Sequence, residues 1–177
     1  MAIPRRGFLR GALAAGACSA AEAAGVSLAR SEDVSEKKKE PVLKLFPVGR
    51  VEKKEGAVRL RIFEKYAAAL KGLEGFSHAW VMYWFDKNDT PRKRGILQVH
   101  PRGNRSNPLT GVFACRAPVR PNLIALSLCK VLAVEGGVVR IDKIDAFDNS
   151  PILDLKPYCP GIDRVNKGLR VPGWLRR

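Results

Sequence analysis

At 177 residues and 46% hydrophobic content, the chain has enough material for one domain with its own core. Its four cysteines form no CxxC pair and it has only two histidines, which excludes a disulfide framework, a zinc site and a multi-histidine centre, so no metal is expected. Charge is the outlier: 32 lysines and arginines against 17 aspartates and glutamates leave +15, which favours a polyanionic partner such as nucleic acid or an anionic membrane surface. Residues 1–30 account for only +3 of that excess, so the body of the chain is basic in its own right.

Residues 1–24 read as a targeting segment, with a charged start, a small-residue apolar stretch from Gly11 to Ala21, and Ala21-Glu22-Ala23 in the form of a cleavage site. Within it, Arg5-Arg6-Gly7-Phe8-Leu9-Arg10 resembles the twin-arginine export signal, which implies delivery of the folded protein to the periplasm. Without a genuine signal the expected location is the cytoplasm. No run reaches the ~18 apolar residues of a membrane span. Residues 25–41, with Ser31 to Pro41 densely charged, read as a disordered linker.

A domain is expected over residues 42–160. Leu43 to Val51 suits a first strand, and beyond Gly56 the period of two in Val58, Leu60 and Ile62 marks a second. Phe63 to Leu73 suits a short helix, with alanines at 67 to 69 and Gly72 near its end. Phe76 to Asp86 is an aromatic-rich strand whose alternation puts His78, Trp80, Met82, Trp84 and Asp86 on one face, and Ala79, Val81, Tyr83 and Phe85 on the other. Both faces are apolar, so this strand should be central. Lys87 to Pro108 is a basic excursion containing Arg92, Lys93, Arg94, Arg102 and Arg105, with Ile96 to Val99 as a short strand inside it. Ala125 to Val134 and Val138 to Ile144 form a hairpin about Glu135-Gly136-Gly137, and Asp148-Asn149-Ser150-Pro151 turns into Ile152 to Leu155. Successive short strands at this spacing predict a mainly β chain with a closed or nearly closed antiparallel sheet and one short helix. Residues 161–177 form a basic, loop-like tail.

The middle of the domain carries the chemistry. Two apolar runs, Gly111 to Ala114 and Leu123 to Val134, are joined by a connector in which Arg116 and Arg120 flank Pro118 and Pro121. Proline fixes its own φ and biases the preceding residue towards extended backbone, so Ala117 and Arg120 are held out of the helical region. The connector displays either two preorganised guanidiniums suited to carboxylate or phosphate, or two merely solvated arginines.

The motifs Phe76-Ser77-His78-Ala79-Trp80, His100-Pro101-Arg102-Gly103, Gly111-Val112-Phe113-Ala114-Cys115-Arg116, Arg120-Pro121-Asn122 with Leu126-Ser127, and Asp148-Asn149-Ser150-Pro151-Ile152-Leu153-Asp154-Leu155-Lys156-Pro157-Tyr158 resemble the TsaA-like family. Its best-described members are S-adenosylmethionine-dependent methyltransferases acting on N6-threonylcarbamoyladenosine beside the tRNA anticodon. The resemblance runs from Pro47 to Pro160 and implies a small single-sheet β-barrel, mostly antiparallel, and a homodimer. It implies a cofactor site drawn from Phe85, Asp86, Arg116, Leu126, Asp145, Asp148, Ser150 and Pro151, with Arg116 on the methionine carboxylate. RNA would lie on the basic loop and tail, with Arg102, Arg105, Arg120 and Asn122 as contacts. Methyl transfer from a sulfonium chiefly needs in-line positioning, but a carbamoylated N6 must lose a proton, for which His78 and Asp145 are the candidates.

The sequence departs from the family pattern in three ways. A loop that follows the first strand in family members is missing, since Gly49 to Lys54 runs directly into the next strand. Leu123 and Ala125 replace a usual proline and glycine. The export signal is at odds with a tRNA substrate. The alternative function is therefore an exported, non-catalytic barrel that binds a small anionic or adenine-containing ligand.

Overall fold

The computed structural model describes residues 42–176. The targeting segment and the linker expected over residues 1–24 and 25–41 lie outside the described residues. Strand β1 (Gly49–Lys54) pairs with β2 (Ala57–Ile62) through a two-residue turn in which Glu55 and Gly56 both take positive φ, at 53° and 75°. That turn suits the right-handed twist of a hairpin, and it leaves no room for a loop between the two strands.

Strand β3 (His78–Trp84) follows two 3-10 turns, the basic excursion contains α1 (Pro91–Arg94) and β4 (Gln98–Val99), and β5 (Thr110–Gly111) comes just after it. Strands β6 (Ile124–Glu135) and β7 (Val138–Ile141) form the predicted hairpin, with Gly136 and Gly137 both at positive φ. Strand β8 (Pro151–Pro157) closes the barrel, in the order β1-β2-β7-β6-β3-β8, when Gly49 pairs with Ile152. All pairings are antiparallel, and β4 and β5 form a separate two-stranded ribbon.

The mainly β expectation therefore holds, and β3 is central as predicted, flanked by β6 and β8. Its interior face is Ala79, Val81 and Tyr83, all buried, and these join Val51, Leu60, Cys129, Val139 and Ile152 in the core. At Gly49 an added Cβ would stand 2.3 Å from the Arg61 carbonyl oxygen, so β1 and β2 approach here as only glycine allows.

Some boundaries shift. The first strand begins at Gly49 rather than Leu43, and Val42 to Phe46 are exposed without regular structure. The expected helix over Phe63 to Leu73 is 3-10 geometry over Glu64–Leu70 and Leu73–Gly75, broken by Gly72 at φ 92°. The strand expected at Ile96 to Val99 shrinks to two residues, and β7 ends at Ile141. The tail contains the short α2 (Pro160–Asp163) and belongs to the same compact unit as the barrel.

Cys129 is fully buried, and burial pushes its thiol pKa up to about 12 from an ordinary 9.0. Since the raised pKa favours the neutral thiol in the folded state, its contribution to stability is complete below pH 9 and is lost as pH climbs towards 12. Iodoacetamide labelling with peptide mapping at pH 8 is expected to modify the half-buried Cys115 and Cys159 while sparing Cys129 until the protein unfolds. Equal labelling of Cys129 in the native protein would contradict this packing.

Candidate functional site

The connector between β5 and β6 is tied down at both ends. The Arg120 guanidinium donates to the Val112 carbonyl at 2.8 Å and the Cys115 carbonyl at 3.4 Å, so it clamps the segment on which it sits. Arg94 of α1 pairs with Asp89 at 2.6 Å and donates to the Pro121 carbonyl at 2.7 Å. Arg116, by contrast, has no ion pair among the described residues. The two arginines that sequence spacing treats alike thus differ: one braces the connector and the other lines a cleft without an ion pair among the described residues.

Where the connector enters β6, Leu123 is fully buried yet holds a positive φ of 55°. Its carbonyl accepts from the Phe85 backbone N–H at 2.9 Å, which joins the end of β3 to the start of β6. A left-handed leucine is uncommon, and such strain persists only where surrounding packing over-determines it. The register shift of β3 against β8 between Met82 and Tyr83 lies at the same end of the barrel.

Two clefts open there. An inner cleft of about 390 Å³ is lined by Tyr83, Phe85, Phe113, Arg116, Leu126 and Asp145, among others. A second, of about 430 Å³, shares Tyr83, Phe85 and Asp145 with it and adds Lys53, Asp86, Phe147 and Ser150. The Tyr83 hydroxyl donates to the Asp145 carbonyl at 2.8 Å, fixing the turn against the barrel mouth. Burial holds the Tyr83 phenol above its ordinary pKa, so it remains a donor.

The turn over residues 145–150 is strapped to β1. The Lys53 backbone N–H donates to Asp148 Oδ1 at 2.8 Å, Lys53 Nζ donates to the Ile144 carbonyl at 3.0 Å, and the Asn149 N–H donates to the Val51 carbonyl at 2.7 Å. The end of β1 therefore brings a lysine into the second cleft. Buried Ser150 donates to Asp86 Oδ1 at 3.4 Å, and Lys87 Nζ stands 3.7 Å from Asp86 Oδ2.

Of the residues singled out from sequence, Phe85, Asp86, Arg116, Leu126, Asp145 and Ser150 meet in the two clefts. Asp148 instead ties the turn to β1 by accepting from the Lys53 N–H, and Pro151 starts β8 opposite Arg50. His78 does not join them: it stands at the far end of β3, five residues or ~16 Å from Tyr83, with its Nδ1 3.0 Å from Ser77 Oγ and its ring edge-on to Tyr158. Arg102 lines a neighbouring cleft, while Arg105 and Asn122 are exposed. Tyr83, Phe113, Lys53 and Ser127 were missed. Tyr83 was recoverable, because alternation sets it on the same face as Phe85, and Phe113 and Ser127 lie in motifs beside Arg116 and Leu126; Lys53 arrives by long-range pairing that no local pattern carries.

Comparison with known proteins bears on the whole barrel. The family model described as the tRNA-methyltransferase O N-terminal domain matches residues 44–164. A probable S-adenosyl-L-methionine-binding protein of Methanocaldococcus jannaschii is 44% identical over 119 residues, covering 67% of this chain and 94% of that one. The tRNA (adenine(37)-N6)-methyltransferase of Mus musculus is 42% identical over 106 residues, which are 60% of this chain but only 24% of that protein. The crystal structure of TrmO from P. aeruginosa superposes with a TM-score of 0.58 at 26% identity, covering 76% of this chain and 63% of that one.

Proposed function

The chain belongs to the tRNA-methyltransferase O N-terminal domain family, and on that premise we propose that it is an S-adenosylmethionine-dependent tRNA methyltransferase acting on the N6 of threonylcarbamoyladenosine. The observation that carries this reading is the convergence of Phe85, Arg116, Leu126 and Asp145 on one cleft at the barrel mouth. Their chemistry fits the cofactor: an unpaired guanidinium for the methionine carboxylate, aromatic and aliphatic walls for the base, and the carboxylates of Asp145 and Asp86 as acceptors for ribose hydroxyls or amino groups. When bound, the cofactor supplies an electrophilic methyl group.

Every other part belongs to the protein. Arg120 and Arg94 hold the connector rigid, so Arg116 is ordered before ligand arrives. Tyr83 holds the Asp145 segment in place. Of the two residues considered as proton acceptors, Asp145 is the one that lines the cleft, and the proposal gives it that role. A homodimer is proposed as well, supported by the apolar stripe of Trp80, Met82, Trp84, Leu126 and Leu128 on the outer face of β3 and β6.

The test is methyl incorporation from S-adenosylmethionine into tRNA carrying N6-threonylcarbamoyladenosine, against the same tRNA without that modification. Incorporation only into the modified tRNA is expected, with kcat lowered roughly 100-fold by Asp145→Asn. Equal incorporation into both, or into neither, would remove the substrate assignment. A second reading rests on Arg5-Arg6 and the Phe-Leu-Arg that follows: export by the twin-arginine route and binding of a small anionic or adenine-containing ligand without catalysis. Cell fractionation separates the two, since a periplasmic protein has no tRNA to modify.

A further inference from the structure

A cleft of about 730 Å³ lies beside the candidate site. Its walls are the loop from His100 to Gly103, the connector from Phe113 to Val119, and the carboxyl-terminal turn carrying Trp174. It shares Phe113, Cys115 and Arg116 with the inner cleft, so occupants of the two would lie on either side of one connector. Trp174 falls outside residues 44–164, the segment that matches the family model.

Three observations narrow what fits there. First, the cleft is faced by two large aromatics, half-buried Trp174 and Phe113, the latter 82% exposed. Both side chains are accessible from the cleft, where a planar group could pack against them. Second, Arg102 and Arg116 line the cleft, neither has a carboxylate partner among the described residues, and no acidic residue lines it. The stretch from Lys87 to Ser127 carries eight lysines and arginines against the single carboxylate of Asp89.

Third, the Arg102 loop is built rather than merely exposed. Arg102 and Gly103 both hold positive φ, at 60° and 66°. His100 Nδ1–H donates to the Asn107 carbonyl at 2.8 Å, and buried Asn107 donates through Nδ2 to the Pro101 carbonyl at 2.9 Å. This internal clamp holds a non-glycine residue in a left-handed conformation at the cleft rim, the kind of strain that marks functional loops.

We propose that this cleft receives an unstacked nucleobase of a single-stranded RNA loop, stacked against Trp174 and Phe113, with its flanking phosphate on Arg102. The proposal rests on the tRNA reading above and adds the place where RNA enters. Single-stranded RNA is recognised by splayed bases on aromatic side chains and arginine planes, with cations along the backbone, and the cleft combines both. Because it adjoins the inner cleft across Arg116, a base held here sits next to the position proposed for the methyl donor.

The experiment compares full-length wild type, Trp174→Ala, Trp174→Phe and Arg102→Gln in binding a tRNA anticodon stem-loop and a loopless RNA duplex, with S-adenosylmethionine affinity measured alongside. Trp174→Ala is expected to weaken stem-loop binding by about 5- to 150-fold, the range for losing one stacked base, while Trp174→Phe retains most of it and duplex binding is unchanged. Arg102→Gln is expected to reduce the salt slope of stem-loop binding by about one unit. Should Trp174→Ala fail to fold, the Arg102→Gln slope decides the matter alone. Unchanged stem-loop affinity in Trp174→Ala, equal weakening on the duplex, or an unaltered slope in Arg102→Gln would overturn the proposal. If S-adenosylmethionine still binds under those outcomes, the methyltransferase reading survives; if wild type binds neither cofactor nor RNA, both fall.

Discussion

Replacing Arg116 by alanine is expected to weaken S-adenosylmethionine binding by between about 10- and 150-fold, the effect of losing a charge-assisted pair worth roughly 1.5–3 kcal/mol. The two connector arginines differ in what they already hold. Arg120 already donates to two carbonyls, and Arg94 to a third, whereas Arg116 carries no ion pair and lines the inner cleft together with Asp145 and Leu126. Arg116→Lys keeps the charge but loses the planar fork, so it should recover only part of the affinity. Arg120→Ala should instead lower stability together with affinity, because it releases the connector. Calorimetric titration of the three variants checks the order, and an Arg116→Ala affinity within twofold of wild type would show that the carboxylate binds elsewhere.

Leu123→Ala carries the largest expected cost in stability, about 3 kcal/mol for emptying a fully buried leucine site. For a domain of this size that lowers the melting temperature by roughly 10 °C. The backbone conformation adds a more discriminating expectation. At an ordinary site glycine is less stable than alanine by ~0.5–1 kcal/mol, but Leu123 holds φ at 55°, where alanine keeps the left-handed strain and glycine relieves it. Leu123→Gly should therefore melt no lower than Leu123→Ala. A glycine variant clearly less stable than the alanine one would refute the left-handed assignment. Both variants should also weaken the cofactor, because the Leu123 carbonyl receives the Phe85 N–H at the lip of the cleft.

The barrel was legible because its strands are written in period-two alternation with paired turn residues. Glu55-Gly56 and Gly136-Gly137 occupy positive φ where the hairpins require it, and Val58 to Ile62 and Ala125 to Val134 read as strands on pattern alone. The 3-10 character of Glu64–Leu70 was not legible, since its alanines favour helix generally without distinguishing 3-10 from α geometry. At the site, the different tasks of Arg116 and Arg120 depend on which carbonyls lie nearby, which the connector prolines do not encode. His78 and Asp145 read alike as candidate proton acceptors because sequence gives no distance; β3 sets them at different ends of the barrel. Lys53 and Trp174 reach their clefts from opposite ends of the domain, through pairing and packing that no local window contains.

The central assertion is that the mouth of the barrel, between the Arg116 connector and the Asp145 turn, is a binding site for a sulfonium nucleoside. Titration calorimetry of the wild-type protein with S-adenosylmethionine addresses it without intermediaries. One saturable site per chain, with heat that disappears in Arg116→Ala, is the predicted outcome. A folded wild-type protein that takes up no S-adenosylmethionine would contradict it.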